Sequence, residues 1–130
     1  MWLLCRRDDG AIVGTAELSQ IARGNFQSAY LGYRVFVPHA GRGYMTEALP
    51  LVLACAFRGL GLHRLEANIQ PGNAPSIALV RRAGFRHEGL SPRYLKIGGR
   101  WRDHERWAIL REEWEESRRA GPTRRSGGTR

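Results

Sequence analysis

Residues 33–57 read YRVFVPHAGRGYMTEALPLVLACAF, and the organisation of the whole chain follows from this segment. It begins with β-branched and aromatic residues, which predict a strand. A turn containing Gly41 and Gly43 follows, and the alanine- and leucine-rich residues 44–58 predict a helix. The first N–H groups of a helix lack acceptors within it and carry partial positive charge, so this order predicts a cradle for a pyrophosphate group. A plain strand-to-helix turn without a ligand is the alternative that these residues leave open.

Length and charge limit the classes of protein that the chain can belong to. Its 130 residues fit one domain with its own core, and no apolar run is long enough to span a membrane. The formal net charge is +9, but five arginines follow Glu116 in a segment without acidic residues, which leaves +4 for the rest. We therefore predict a domain over residues 1–116 and a basic, disordered tail over residues 117–130. The tail suggests contact with RNA or a ribosome, and a merely solubilising end is the alternative.

The two cysteines indicate neither a disulfide framework nor a metal site. Cys5 and Cys55 lack the close spacing of metal-binding pairs, and no signal-peptide core precedes them. We expect no metal, a cytoplasmic location without membrane attachment, and a core position for Cys55 within its apolar helix.

The remaining segments predict a mixed sheet. Apolar segments at 2–7, 11–21 and 28–37 are separated by turn sequences at 8–10 and 23–25, which is typical of an antiparallel meander. After the predicted first helix, a short alternating strand should run parallel to the third strand, because a helical crossover connects the two. The later elements are a strand over 65–69, a helix that starts at Asn73 or Ser76 and ends at Gly84, strands over 85–97 and 101–110, and a charged helix over 111–119. The expected class is α/β (α+β) with the order βββαβαββ and flanking helices.

Three spaced motifs now agree with one family. They are GRGYMTEAL at 41–49, NAPSIALVRRAGFRHEG at 73–89 and YLKIGGRWRDHERWAIL at 94–110. Together they resemble the GNAT acetyltransferases, and within them the RimJ/RimL-type enzymes that acetylate the amino termini of ribosomal proteins. The resemblance runs from about Trp2 to Trp114. It implies a central sheet that splays between the strand before the glycine turn and the strand after the first helix, with acetyl-CoA in the resulting V.

The resemblance also implies which residues bind the cofactor. The backbone of the splayed strand would bind the pantetheine arm as an added strand would, and the amides of the glycine turn would hold the pyrophosphate. Asn73 would bond the pantetheine amides, and Ser76 would lie near the sulfur. The implied cofactor-binding residues are Val35, Phe36, Val37, Gly41, Arg42, Gly43, Tyr44, Met45, Asn73 and Ser76.

The implied reaction is direct attack of a neutral amine on the thioester within a ternary complex. Many GNAT enzymes protonate the leaving thiolate with a tyrosine four residues after the place of Ser76; Val80 stands there, so Ser76 is the implied catalytic donor, with a mere helix cap as the alternative. Backbone N–H groups around Phe36 are expected to stabilise the oxyanion. Glu17 is the candidate catalytic base, with a solvent-facing side chain or a water base as alternatives.

Two other polar features lie near the motifs. His39, beside the glycine turn, is a candidate proton acceptor or a surface loop residue. Asp103 and His104 resemble a catalytic dyad, but neighbours on a strand point to opposite faces, so we predict a structural role for both.

The chain also departs from the family pattern. Ala40 occupies a position that is often Gln or Arg, and the chain begins at what resembles the family's second strand. We expect the first strand and the helices that wall the acceptor site to be lacking, as in a truncated product, a misplaced start or a domain completed by a partner.

These observations favour an N-acetyltransferase acting on a protein amino terminus or a small amine, with a homodimer as a further expectation. The alternative is a non-catalytic protein that binds acyl-CoA or a ribosome. A dinucleotide-binding domain, with Glu66 on the ribose, is a lesser alternative, because Thr46 replaces the third glycine of that fingerprint and three strands precede the turn.

Overall fold

The computed structural model describes residues 2–7, 9–36 and 43–126, with the backbone alone for residues 120–126. The elements follow the predicted βββαβαββ order, and a further helix ends the described chain. They are β1 (Trp2–Cys5), β2 (Ile12–Ala22), β3 (Ser28–Val35), α1 (Tyr44–Ala54), a π-helical turn (Cys55–Gly59), β4 (Arg64–Ile69), α2 (Ala74–Ala83), β5 (Arg86–Ile97), β6 (Arg100–Leu110) and α3 (Arg111–Ser126).

The strands form one mixed sheet in the order β1-β2-β3-β4-β6-β5. Strands β3 and β4 pair in parallel, and the other four neighbouring pairs are antiparallel. The parallel pair is the one joined by α1, as expected, because a connection between parallel neighbours must cross from one end of the sheet to the other. The predicted α/β class with a mixed sheet and flanking helices is confirmed.

The hydrophobic core lies on one face of this sheet. In β4, Leu65, Ala67 and Ile69 are buried in strict alternation, which is the pattern of a strand with one covered face. The same core contains Phe57, from the turn after α1, and Trp114 of α3. The helices therefore cover one face, and the alternate side chains of β2, β3 and β4 lie on the other. No helix in the described ranges is both long enough and apolar enough to cross a bilayer.

Pro50 lies inside α1 without ending it. The helix continues to Ala54 and then widens into the π-helical turn. Its buried face, which includes Leu49 and Val52, packs on the sheet and holds the helix despite the missing hydrogen bond. The expected core position of Cys55 is wrong: its side chain is exposed, because it lies one helical turn after Leu51, which is 71% exposed.

The end of the chain also differs from expectation. The structure continues α3 to Ser126, so residues 120–126 are helical beyond the predicted helix end at residue 119, in a segment that was predicted as a disordered tail. Trp114 packs in the core and the Arg118 guanidinium lies over its ring, and the helix runs on through Gly121 and Pro122, two residues that disfavour a helix interior. Residues 127–130 lie outside the described chain, and the division at residue 116 stays a prediction.

An ion-pair cluster ties three elements together. Arg64 Nη2 lies 2.7 Å from Glu88 Oε1 and 3.0 Å from Glu66 Oε1. Arg86 bonds Glu88 and Glu113, both at 2.7 Å. Hydrogen bonding by Arg64 is the main cause that lowers the pKa of Glu88 to about 2 from its ordinary 4.5.

The lowered pKa of Glu88 has a consequence for stability. A carboxyl whose pKa is lower in the folded state stabilises the fold above its unfolded pKa and loses that contribution as the pH falls. We expect Glu88→Gln to reduce the free energy of unfolding near neutral pH, and the difference from the unmodified chain to shrink as the pH falls from 4.5 towards 2. Urea unfolding at several pH values measures this, with the exposed Glu116→Gln as control. A difference that stays constant over this pH range would contradict the prediction.

Candidate functional site

The sheet opens between β3 and β4. The two strands pair only from Ser28↔Arg64 to Tyr30↔Glu66. Beyond that point β3 stays paired with β2 as far as Val35, and β4 stays paired with β6 as far as Ile69. Each strand therefore follows a different neighbour, and a V-shaped cleft opens between them. This is the predicted splay.

Along the cleft, successive residues of β3 direct their backbone N–H and C=O groups alternately to β2 and to the cleft. The N–H of Phe36 donates to the carbonyl of Val13 in β2, at 2.8 Å. In an antiparallel pair, successive residues direct their N–H and C=O groups to opposite sides. Tyr33 and Val35 therefore direct theirs away from β2, towards the cleft. Of the N–H groups around Phe36 that were expected to stabilise an oxyanion, that of Phe36 itself faces β2 and that of Val35 is directed to the cleft.

The start of α1 provides the described part of the cradle. Gly43, its N-cap, has φ 77° and makes no side-chain cap. The first hydrogen bond within the helix runs from Glu47 N–H to the Gly43 carbonyl, at 3.1 Å. The N–H groups of Met45 and Thr46 precede it and so have no acceptor within the helix. Because the side chain of Met45 is buried in the core, only its backbone is placed to meet a ligand.

The structure describes only some of the predicted cradle residues. Tyr44 is the first residue of α1, and its half-buried ring packs against the core. Among the residues that the sequence analysis singled out in and beside the glycine turn, those outside the described ranges are Val37, His39, Ala40, Gly41 and Arg42.

The start of α2 lies after β4, across the cleft. Asn73 is the N-cap, as predicted, and its Oδ1 accepts the Ser76 N–H at 3.3 Å. The amide nitrogen of Asn73 is therefore the part of its side chain that suits a ligand carbonyl. Val80, one turn beyond Ser76, is fully buried in the core.

Tyr33 connects the two sides of the cleft. Its Oη lies 2.5 Å from Ser76 Oγ and 3.4 Å from the Ser76 carbonyl oxygen. Burial raises the pKa of Tyr33, and the hydrogen bond with Ser76 acts in the opposite direction. Sequence reasoning placed Tyr33 in a strand and missed this contact, because nothing in the local pattern relates residues separated by 43 positions.

Glu17 does not approach Ser76. It lies on β2 opposite Gly32, and its Cγ would be 3.9 Å from a Cβ built on that glycine. Its neighbour Ala16 faces the core, so Glu17 is exposed on the other face of the sheet. The two candidate catalytic residues thus lie on opposite faces.

Asp103 and His104 make structural contacts. Asp103 Oδ1 accepts the N–H of Arg93, which has a φ of 45°, at 2.8 Å. His104 is 3% exposed, and its Nδ1 lies 2.9 Å from the Arg102 carbonyl. The Asp103 contact joins β6 to β5, whereas the His104 contact lies within β6, and both are in line with the predicted structural role.

Comparison with known proteins identifies the family. Residues 1–86 match the acetyltransferase (GNAT) domain. The "Probable N-acetyltransferase YjcK" of Bacillus subtilis (strain 168) is 44% identical over 108 residues, which cover 83% of this chain and 60% of that protein. The "[Ribosomal protein uS5]-alanine N-acetyltransferase" of Escherichia coli (strain K12) is 39% identical over 111 residues, covering 85% of this chain and 57% of that protein.

A solved structure agrees with these relatives. Mycobacterium smegmatis RimJ, determined in complex with CoA-disulfide, matches with a TM-score of 0.77 and 43% identity, over 81% of this chain and 50% of that one. The present chain therefore spans between half and three-fifths of the length of these relatives. The resemblance to the GNAT enzymes, and to their Rim-type members, is confirmed. With its splayed sheet and with a glycine at the start of the crossover helix, the chain belongs to the GNAT acetyltransferase family.

Proposed function

We propose that this chain carries the acetyl-CoA site of an N-acetyltransferase, which transfers acetyl to a primary amine by direct attack in a ternary complex. One observation carries the proposal. The cleft between β3 and β4 is bordered by the start of α1 at Gly43 on one side and by Asn73 and Ser76 of α2 on the other. A long, thin cofactor with an anionic pyrophosphate and an amide-bearing arm suits such a cleft.

The cofactor would lie along β3. The backbone groups of Tyr33 and Val35 would pair with the amides of the pantetheine arm, while the first N–H groups of α1 hold the pyrophosphate. Complex formation between RimJ of M. smegmatis and CoA-disulfide supports this choice of cofactor. Contributions from Val37, Gly41 and Arg42 remain predictions.

The thioester of acetyl-CoA would lie at the middle of the cleft, close to the protein groups that take part in the reaction. The N–H of Val35 would stabilise the oxyanion that forms when the amine attacks the carbonyl carbon. Ser76 would supply a proton to the departing sulfur. Glu17, on the other sheet face, stays the candidate base, with water as the alternative, since an amino terminus titrates at about pH 8 and readily loses its proton.

The proposed acceptor is a protein amino terminus. Support comes from the name of the E. coli relative, which acts on an alanine of ribosomal protein uS5. A small amine is the second candidate. We further propose a cytoplasmic site of action, as for a modifier of ribosomal proteins. Contact with RNA or the ribosome through the basic residues after Glu116, and a homodimer, are retained as hypotheses.

Two alternatives remain distinguishable. A non-catalytic protein that binds acyl-CoA would use the same cleft, so binding alone does not separate it from an enzyme. A dinucleotide-binding domain would need a largely parallel sheet, whereas β3 and β4 form one parallel pair among five.

The test is calorimetric titration of the folded chain with acetyl-CoA, with NAD as counter-ligand, followed by a transfer assay. The acceptor is a peptide with a free amino-terminal alanine, its control is the same peptide with a blocked terminus, and mass spectrometry detects the acetyl group. Saturable acetyl-CoA binding together with acetylation of the free peptide alone would support the proposal. Binding without transfer would favour the non-catalytic alternative. A folded chain that does not bind acetyl-CoA would contradict both.

A further inference from the structure

We propose that Tyr33 is a positioning residue for Ser76: its hydroxyl donates to Ser76 Oγ and thereby directs the serine proton into the cleft, towards the thioester sulfur. This inference rests on the proposed function. It assigns to β3 a second role, in addition to presenting its backbone to the cofactor.

The contact has the geometry that such a role requires. The distance of 2.5 Å between Tyr33 Oη and Ser76 Oγ is that of a short hydroxyl–hydroxyl bond. Oη also lies 3.4 Å from the carbonyl oxygen of Ser76, so the tyrosine proton meets two acceptors on the same residue. Because 3.4 Å is longer than an ordinary O–H···O bond, Ser76 Oγ is the nearer acceptor for that single proton, and we assign the donor role in the 2.5 Å bond to Tyr33.

Tyr33 and Ser76 are each held in place by contacts with the rest of the fold. Tyr33 belongs to the part of β3 that pairs with β2, where it lies opposite Ala16, and its ring packs against the core. The N–H of Ser76 donates to Oδ1 of Asn73, the N-cap, and the backbone of Ser76 is fixed in α2. A hydroxyl rotor between two fixed elements loses its freedom once a donor fills one of its lone pairs.

The protonation state of Tyr33 suits a donor. Burial keeps its pKa above the ordinary value of 10.0, so the phenol holds its proton throughout the neutral range. Ser76 Oγ can accept one hydrogen bond and donate another. With the Tyr33 proton on one lone pair, the proton of Ser76 is left for a group in the cleft.

The reaction step then balances without a charge on Tyr33. The amine nitrogen forms a bond with the acetyl carbon, the carbon–sulfur bond breaks, and the electron pair of that bond goes to sulfur. The Ser76 proton moves to the sulfur, giving the free thiol of CoA. The proton that the attacking nitrogen releases passes through solvent and restores Ser76. Tyr33 keeps its proton throughout and holds the serine oxygen in place.

The experiment is a double-mutant cycle on acetyl transfer, with Tyr33→Phe, Ser76→Ala and the combined variant. We expect Ser76→Ala to lower kcat about a hundredfold, as for loss of a general acid. Tyr33→Phe should lower kcat about tenfold, as for loss of one hydrogen bond. Tyr33→Phe should leave the Kd for acetyl-CoA unchanged, because its hydroxyl is assigned to Ser76 and not to the cofactor. In the Ser76→Ala background, Tyr33→Phe should have no further effect on kcat, because its partner is gone.

The matched control is Tyr30→Phe. Tyr30 lies on the same strand but on the opposite face, with its hydroxyl 3.4 Å from that of Tyr94. We expect the kcat of the Tyr30→Phe variant to equal that of the unmodified chain.

The outcomes separate the two proposals. Transfer with a coupled Tyr33–Ser76 cycle supports both. Transfer that Tyr33→Phe leaves unchanged or increases, or that the two changes lower independently, overturns the positioning role and leaves the proposed function intact. Absence of transfer by the unmodified chain overturns the proposed function and the positioning role with it.

Discussion

Gly43→Val is expected to lower the affinity of the chain for CoA by about a hundredfold, the equivalent of about 2.7 kcal/mol. Gly43 has φ 77°, a backbone conformation that costs a β-branched residue on the order of 1–3 kcal/mol. The chain can relieve this strain by moving the start of α1, which displaces the N–H groups that we assign to the pyrophosphate. A valine side chain would also stand where the anion approaches. Calorimetric titration with CoA measures the change.

The control for this prediction is Gly10→Val. Gly10 has φ 73° in the β1–β2 turn, and, as at Gly43, a Cβ there would meet nothing within 4 Å. The two variants therefore carry the same kind of backbone strain, and only one carries it at the cradle. We expect Gly10→Val to cost stability and to leave CoA affinity unchanged. Equal affinity of the Gly43 variant and the unmodified chain would refute the cradle.

Phe57→Ala is expected to lower the free energy of unfolding by about 3–5 kcal/mol. Phe57 is completely buried, and its ring centroid lies 5.3 Å from that of Trp114. The substitution removes a large apolar side chain and leaves a cavity between the π-helical turn and α3. A domain of this size has a total stability of about 5–15 kcal/mol, so the loss is a large share of it.

Urea unfolding measures this loss, and Phe26→Ala is its matched control. Phe26 is 71% exposed in the turn before β3, so the same chemical change there removes few contacts. We expect its unfolding midpoint to stay close to that of the unmodified chain. Similar midpoints for the two variants would show that Phe57 is not a core residue.

The fold could be predicted because its signals are local. The alternation of Leu65, Ala67 and Ile69 identified β4 and its buried face, and Asn73 and Gly84 marked the two ends of α2. These signals depend on the repeat of a strand or on the chemistry of a helix end, both of which lie within a few residues.

The candidate site was less accessible from sequence, because it depends on which residues meet across the fold. The pairing of Tyr33 with Ser76 and the direction of the Phe36 N–H follow from strand register and helix placement. An apolar composition likewise suggested a core position for Cys55, although its place on the helix, in line with Leu51, decides its exposure. Residues 120–126 continue α3, the helix whose Trp114 packs in the core, although their own composition offers little to bury.

The short parallel ladder between β3 and β4 divides the sheet into two leaves, each built from one continuous part of the chain. Strands β1–β3 form one leaf and β4–β6 the other, and the seam between them is limited to the pairs from Ser28↔Arg64 to Tyr30↔Glu66. Each leaf can form from its own antiparallel pairs, whereas the seam must close a loop that contains α1. A molecule bound in the cleft contacts both leaves at once. Its binding free energy therefore adds to the interactions that hold the two leaves together. We expect ligand binding in the cleft to stabilise the association of the two leaves.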